Sequence, residues 1–319
     1  MSKQKNILVT GAGGDIGQSV IKCLKESGYE LNLTGCDIDA YAASKGEVDT
    51  LLTAPRAALA DKYLGFIDSV IKKNHPDYII PTTEPEIAFF SSRRDYFCGK
   101  TLIIINSPFI VDTYLDKYET IRFFEDNGVP HPRTYPAERY NGELSFPVLL
   151  KRRRSYGRKG LILAQDAEEL DFFKKRETDM IVQELVGDDG DEYTAGVFST
   201  GEEIYSITFR RRLGYGSLSK VACLVHDKEL TRLVEKIARV SGLKGSFNVQ
   251  LRKTADGYIP FEVNPRFSST VYIRHHFGFK DVKWWLDLYE GRKIEYTPEY
   301  SAGIGVRKLS EIFFDCKPF

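Results

Sequence analysis

Ser246-Phe247-Asn248-Val249-Gln250-Leu251-Arg252-Lys253 and Tyr258-Ile259-Pro260-Phe261-Glu262-Val263-Asn264, joined across Ala255-Asp256-Gly257, read as the two strands and turn of a hairpin. A three-residue hairpin loop commonly pairs a type I turn with a glycine in the left-handed conformation, and Gly257 suits that place. Such a loop predicts Lys253 opposite Ile259 and Gln250 opposite Glu262. Side chains alternate across a strand, and directly paired residues share a face. Asn248, Gln250, Glu262 and Asn264 then fall on one face. Phe247, Val249, Leu251, Ile259, Phe261 and Val263 fall on the other, which is apolar. The first face gathers oxygen donors suited to a hard cation such as magnesium. Alternation alone describes a half-exposed polar face equally well. Pro265-Arg266, directly after Asn264, is what singles this hairpin out.

Working back along the chain, Glu192–Ser199 and Ile204–Arg211 form another hairpin across Thr200-Gly201-Glu202, and Asp227–Val240 is a helix. Asp116–Asn127 is a helix that stops at Gly128 with Pro130 beyond it. Pro147–Lys151 and Met180–Val186 are strands, with the helix Ala167–Lys175 between them. The first third differs. Strands at Asn6–Thr10, Leu31–Asp37, Tyr78–Pro81 and Thr101–Asn106 alternate with helices at Ile16–Glu26, Asp61–Lys73 and Glu86–Tyr96. That rhythm implies parallel strands with crossover helices, hence a doubly wound sheet. The expected organisation is an α/β unit over 1–112, then α+β units over 113–187 and 188–319.

Lys plus Arg and Asp plus Glu are equal at 45 each, so no basic excess marks a nucleic-acid partner. The runs Lys151–Arg154 and Arg210–Arg212 therefore need local explanations, and contact with phosphate or an anionic substrate is preferred. Arg211 or Arg212 points inward, and alternation does not say which. The five cysteines are dispersed and odd in number, which fits a reducing cytoplasm better than a disulfide framework or a zinc site. No signal-peptide pattern and no apolar run of about 20 residues is present, so no membrane partner is expected.

The run Gln250…Glu262-Val263-Asn264-Pro265-Arg266 resembles the metal-binding signature of the ATP-grasp family, and its Gln–Glu–Asn form is similar to the ATP-grasp module of the carbamoyl-phosphate synthetase large subunit. Further landmarks follow in the family's order. Asp116-Lys117 with Gly128-Val129-Pro130 resembles the segment whose lysine contacts phosphate. Phe146-Pro147-Val148-Leu149-Leu150-Lys151 resembles the strand carrying a second phosphate lysine. Ser155-Tyr156-Gly157-Arg158-Lys159-Gly160 resembles the loop that closes over phosphates, with fewer glycines than usual and Lys-Arg-Arg-Arg in place of the common Lys-Pro. Gln183-Glu184-Leu185-Val186 resembles the hinge that pairs with adenine, and Glu192 matches the ribose carboxylate.

The resemblance implies a Rossmann-like pre-ATP-grasp domain followed by a two-lobed ATP-grasp fold. It implies an ATP-dependent carboxylate–amine ligase, with an acyl phosphate intermediate and ADP and phosphate as products. Magnesium, or manganese in its place, would sit on Gln250, Glu262 and Asn264. Lys117, Lys151 and Arg266 would neutralise the moving phosphoryl group, with Arg212 as a further catalytic candidate. Ser155, Tyr156, Gly157, Gln183, Glu184, Leu185, Val186 and Glu192 would line the nucleotide. The expected partners are a small carboxylate and an amine or ammonia, with a homodimer left open.

Thr10-Gly11-Ala12-Gly13-Gly14-Asp15-Ile16-Gly17, with Asp37 ending the next strand, is also a dinucleotide fingerprint. It keeps open an NAD(P)-dependent oxidoreductase of short-chain dehydrogenase type, and a catalytically silent ATP-binding protein stands as a separate alternative. Under the ligase reading, Gly13, Gly14, Asp37, Thr83, Glu84 and Ser268 are candidate substrate contacts. Ser268 and Ser269 equally suit helix caps.

Overall fold

The computed structural model describes residues 4–155, 160–214, 218–308 and 310–312. Its strands β1 (Lys5–Thr10), β2 (Leu31–Asp37), β3 (Thr50–Thr53), β4 (Tyr78–Pro81) and β5 (Leu102–Ile103) form one parallel sheet in the order β3-β2-β1-β4-β5. Alternation along β1 sends Ile7 and Val9 into one core and Leu8 into another. A sheet buried on both faces explains why its strands read as continuous apolar runs. Two boundaries differ from expectation. The strand expected over 101–106 pairs at only two residues, and the helix expected over 86–96 breaks into Glu84–Ser91 and Arg94–Phe97.

A second, antiparallel sheet comprises β6 (Thr134–Pro136), β7 (Val148–Arg152), β8 (Ile162–Ala164) and β9 (Met180–Glu184) in the order β6-β9-β7-β8. Val148, Leu150, Ala164 and Val182 pack there against Leu170 of the helix Ala167–Lys174.

The third sheet comprises β10 (Glu192–Ser199), β11 (Ile204–Leu213), β12 (Ser219–Val225), β13 (Gly245–Thr254), β14 (Gly257–Asn264) and β15 (Ile304–Val306). Its order is β14-β13-β10-β11-β12-β15, antiparallel throughout. On one face, Val197, Phe247, Val249 and Leu251 pack on Leu230, Val234 and Ile237 of the helix Lys228–Val240. On the other, Phe198 and Phe209 join a core that also contains Trp284, Trp285, Val20, Ile7 and Val9. The parallel sheet and the six-stranded sheet thus share one core. Along the same strands that second face changes from apolar to polar. Thr194, Glu192, Arg211 and Asn248 are buried there, and Gln250 lies between them and a cavity.

The helix Pro108–Leu115 crosses the boundary expected at 112/113. Val111 belongs to the core under the parallel sheet, while Ile110 and Tyr114 belong to the core of the third sheet. Tyr114 meets Phe247 edge-on, with ring centroids 5.7 Å apart.

Candidate active site

A cavity of about 720 Å³ is lined from all three sheets. The second sheet contributes Leu149, Lys151, Leu163, Gln183 and Glu184, with Leu185, Val186, Gly187 and Asp188 following β9. The third contributes Glu192, Arg211, Gln250, Arg252, Phe261, Glu262 and Asn264. Ile16 and Glu84 come from the parallel-sheet unit, and Arg266, Ser268 and Ser269 follow β14.

The hairpin β13–β14 reaches the expected pairing by another route. Thr254 pairs with Gly257, so only Ala255 and Asp256 form the turn, and Lys253 faces Tyr258 instead of Ile259. The register shifts again between Gln250 and Leu251, which puts Gln250 opposite Glu262 after all. A bulge of this kind sets two residues of one strand against one of the other and re-aims a side chain. Here it turns Phe261 out of the expected core and into the cavity, beside Glu262. Ile259 is likewise displaced, and Tyr258, Pro260 and Val263 supply the buried side of β14. Gly257 does take a positive φ, at 111°.

Of the two arginine candidates, Arg211 is the buried one, 6% exposed. Arg212 is exposed and outside the cavity lining, which corrects its expected catalytic place. Alternation forces the choice, because Ile207, Phe209 and Arg211 share the inward face of β11. Arg211 Nη2 donates to Glu192 Oε1 at 2.6 Å and to Gln250 Oε1 at 2.9 Å. Arg252 Nη2 donates to Glu192 Oε2 at 3.2 Å. Glu192 therefore stands between two arginines. Arg252 was not among the expected site residues; its place two positions past Gln250 on the same strand is the signal that would have found it.

The rest of the basic runs meets local acids. Arg152 pairs with Glu177, Arg153 with Asp116 and Glu119, and Arg210 with Asp191. Lys151 instead enters the cavity, where Nζ donates to Gln183 Oε1 at 2.6 Å. Burial pushes its pKa down to about 8, and the neighbouring charges of Lys117 and Arg252 push the same way against the pull of Glu262. Lys117, at the start of the helix capped by Asp116, donates to the Ser155 carbonyl at 2.8 Å. Tyr156 and Gly157 lie outside the described residues. Gln183 is buried and donates to Thr134 Oγ1 at 2.9 Å. The Glu184 side chain is held outward by Arg133 at 3.1 Å, so this residue offers the cavity its backbone. Leu161, Leu163 and Leu185 give that part of the cavity an apolar wall.

Where the parallel-sheet unit meets β14, Arg266 Nη2 donates to Glu84 Oε1 at 2.8 Å. Ser268 lines the cavity but is no helix cap. Its Oγ accepts from Arg274 at 2.9 Å, and Thr270 is the residue preceding the helix Val271–His276. Four expected substrate contacts lie outside the lining. Thr83 turns to Glu86, at 2.6 Å. Asp37 Oδ2 accepts from the Gly13 amide at 2.8 Å, so the glycine turn satisfies the carboxylate internally. Gly14 and Gly13 do not reach the cavity; Ile16 does.

The oxygen donors fit a magnesium ion. Glu262 makes no hydrogen bond among the described residues and faces the cavity with Gln250 and Asn264. One carboxylate and two amide oxygens suit a hard cation that shares its shell with phosphate oxygens. Gln250 Oε1 keeps a second lone pair beyond the bond from Arg211.

The fold has counterparts among solved structures. An N5-carboxyaminoimidazole synthetase from Staphylococcus aureus, complexed with ADP, superposes with a TM-score of 0.76 at 13% identity, covering 96% of this chain and 82% of that one. The chain shares the fold of that synthetase. An L-amino acid ligase from Bacillus licheniformis gives a TM-score of 0.71 at 15% identity, over 90% of this chain and 74% of the other. The family described as ATP-grasp in the biosynthetic pathway with Ter operon matches residues 176–312. The carbamoyl phosphate synthase large chain of Kineococcus radiotolerans is 22% identical over 302 residues, covering 83% of this chain. The chain spans 26% of that relative's length.

Proposed function

We propose that this chain is an ATP-grasp enzyme, an ATP-dependent ligase that activates a carboxylate as its acyl phosphate and joins it to an amine or ammonia, releasing ADP and phosphate. The observation that carries this reading is the convergence of Glu262, Asn264 and Gln250 with Lys117, Lys151 and Arg266 on one cavity. The related folds of an L-amino acid ligase and of a synthetase complexed with ADP support it.

In this reading adenine lies against Leu163 and Leu185, with its polar edge on the backbone of residues 184–186. Glu192, fixed by two arginines, lies on the ribose side of the nucleotide. Magnesium, or manganese, would neutralise phosphate oxygens when held by Gln250, Glu262 and Asn264. Lys117 and Lys151 hold the phosphates in place by charge. Arg266 steadies the carboxylate for in-line attack. Positioning and charge stabilisation supply the catalysis, so no protein nucleophile is required. The proposed division is a Rossmann-like unit over 1–112 and two ATP-grasp lobes over 113–187 and 188–319, joined by the helix that crosses the first boundary. Among the described residues no helix is long and apolar enough to cross a membrane. Four of the cysteines are free, which suits a cytoplasmic enzyme.

The test is ADP release from magnesium–ATP with a panel of carboxylic acids and ammonia or hydroxylamine. Glu262→Ala should remove nearly all acid-dependent release. Unchanged turnover in that variant overturns the assignment.

A further inference from the structure

The ion pair between Glu84 and Arg266 lines the same cavity as the metal donors, 182 positions apart in sequence. Both side chains are largely buried, at 13% and 15% exposure. Glu84 opens the helix that follows β4, at the end of a parallel strand where such sheets bind ligands. Arg266 stands two residues beyond Asn264. A carboxylate to be activated beside the metal is drawn to Arg266, but it meets Glu84 already there.

The consequence follows from charge. A simple acid that takes Arg266 leaves Glu84 nearly buried and stripped of its cation, which is costly. Removing one partner of such a pair costs more than replacing both. A substrate with an ammonium group next to its carboxylate exchanges one ion pair for two. Its carboxylate meets Arg266 and its ammonium meets Glu84. An α-amino acid carries the two charges on neighbouring groups, which matches a pair separated by one hydrogen-bond length.

We propose that the acid activated by this chain is an α-amino acid with a free ammonium group, held between Glu84 and Arg266. This rests on the ligase reading above. Glu84 keeps that ammonium protonated, so its nitrogen is withheld from acylation and the attacking amine belongs to a second molecule. A carboxylate oxygen bonds to the γ-phosphorus as the bond to the β,γ-bridging oxygen breaks, releasing ADP. The second amine then bonds to the acyl carbon, the acyl–phosphate C–O bond breaks, and the surplus ammonium proton passes to solvent.

The experiment supplies magnesium–ATP and hydroxylamine with each common L- and D-amino acid. Each is compared with its N-acetyl derivative and with the acid lacking the amino group. ADP and hydroxamate are measured together. At least one free amino acid should exceed both analogues by on the order of 100-fold in kcat/KM, since a site built around a polar group rejects analogues that lack it. Glu84→Gln should collapse that ratio towards unity, by raising KM for the free amino acid more than it lowers kcat. Analogues that match the free amino acids overturn the inference and leave the ligase reading standing. No hydroxamate with any acid, while magnesium–ATP still binds, overturns the ligase reading and this inference with it.

Discussion

Arg211 reaches Gln250 with the same nitrogen that holds Glu192, at 2.9 Å and 2.6 Å respectively. One buried guanidinium thereby ties the proposed ribose carboxylate to a proposed metal donor. Taking it away leaves Glu192, 3% exposed, with Arg252 on its other oxygen. Arg211→Met should lower folding stability by on the order of 3 kcal/mol, read by chemical denaturation. Arg212→Ala, one residue further and exposed, should stay within about 0.5 kcal/mol of the parent protein. Equal effects at the two positions would contradict the inward placement of Arg211.

Glu262 presents the opposite situation, a carboxylate facing a cavity with no hydrogen-bond partner among the described residues. Its removal breaks no hydrogen bond among the described residues. Glu262→Ala should therefore keep the melting temperature of the empty protein. It should lose the further rise in melting temperature that magnesium adds to bound ATP. EDTA should reduce the parent protein to the same level. A variant that still responds to magnesium would place the ion elsewhere.

The lysine in the cavity predicts a dependence on pH. Burial first, then Lys117 and Arg252, hold Lys151 at about 8 instead of the usual lysine range. Below about 8 the ammonium is retained in the empty fold at a cost. As pH rises through that value the fold sheds a proton that the unfolded chain still binds, so this group's penalty on stability is relieved. Nucleotide phosphates favour the ammonium and raise its pKa. Above about 8, ATP binding should take up a proton, and affinity should weaken by up to about tenfold per pH unit from this group. Calorimetry in two buffers of different ionisation enthalpy measures the uptake. Lys151→Arg, charged throughout that range, should abolish it.

Some of this site was legible because it depends on neighbours along one strand or across one turn. The facing of Gln250 and Glu262 is of that kind, although the two-residue turn and the bulge depart from the assumed register in compensating ways. A bulge leaves no mark in polarity, so Phe261 read as core. Arg211 was ambiguous because each of three consecutive arginines satisfies alternation in one of two phases. Its apolar predecessors Ile207 and Phe209 fix the phase only once their core is known. The Glu84–Arg266 pair brings together two units that share a core, and no local pattern records such a contact. Short edge strands were missed for a related reason. Thr50–Thr53 and Ile304–Val306 are half-exposed and too brief to show a period.

The amino-terminal glycines give the last prediction, because they separate a dinucleotide site from a packing device. A Cβ on Gly17 would lie 2.3 Å from the Gly11 carbonyl oxygen and 2.8 Å from Ala12 Cα, both backbone atoms that cannot step aside. Gly17 is therefore required for the helix Asp15–Lys25 to approach β1, whatever binds nearby. Asp37, which a dehydrogenase would offer to a ribose, is engaged by the Gly13 amide. Gly17→Ala should destabilise the protein by about 1–3 kcal/mol through the forced shift of backbone. Asp37→Asn should weaken the turn while leaving magnesium–ATP affinity within about twofold, a change of under about 0.5 kcal/mol. Titration of the parent protein with NADH, followed by nicotinamide fluorescence, should give no saturable signal. Saturable NADH binding that Asp37→Asn weakens would return the glycine turn to the dinucleotide reading.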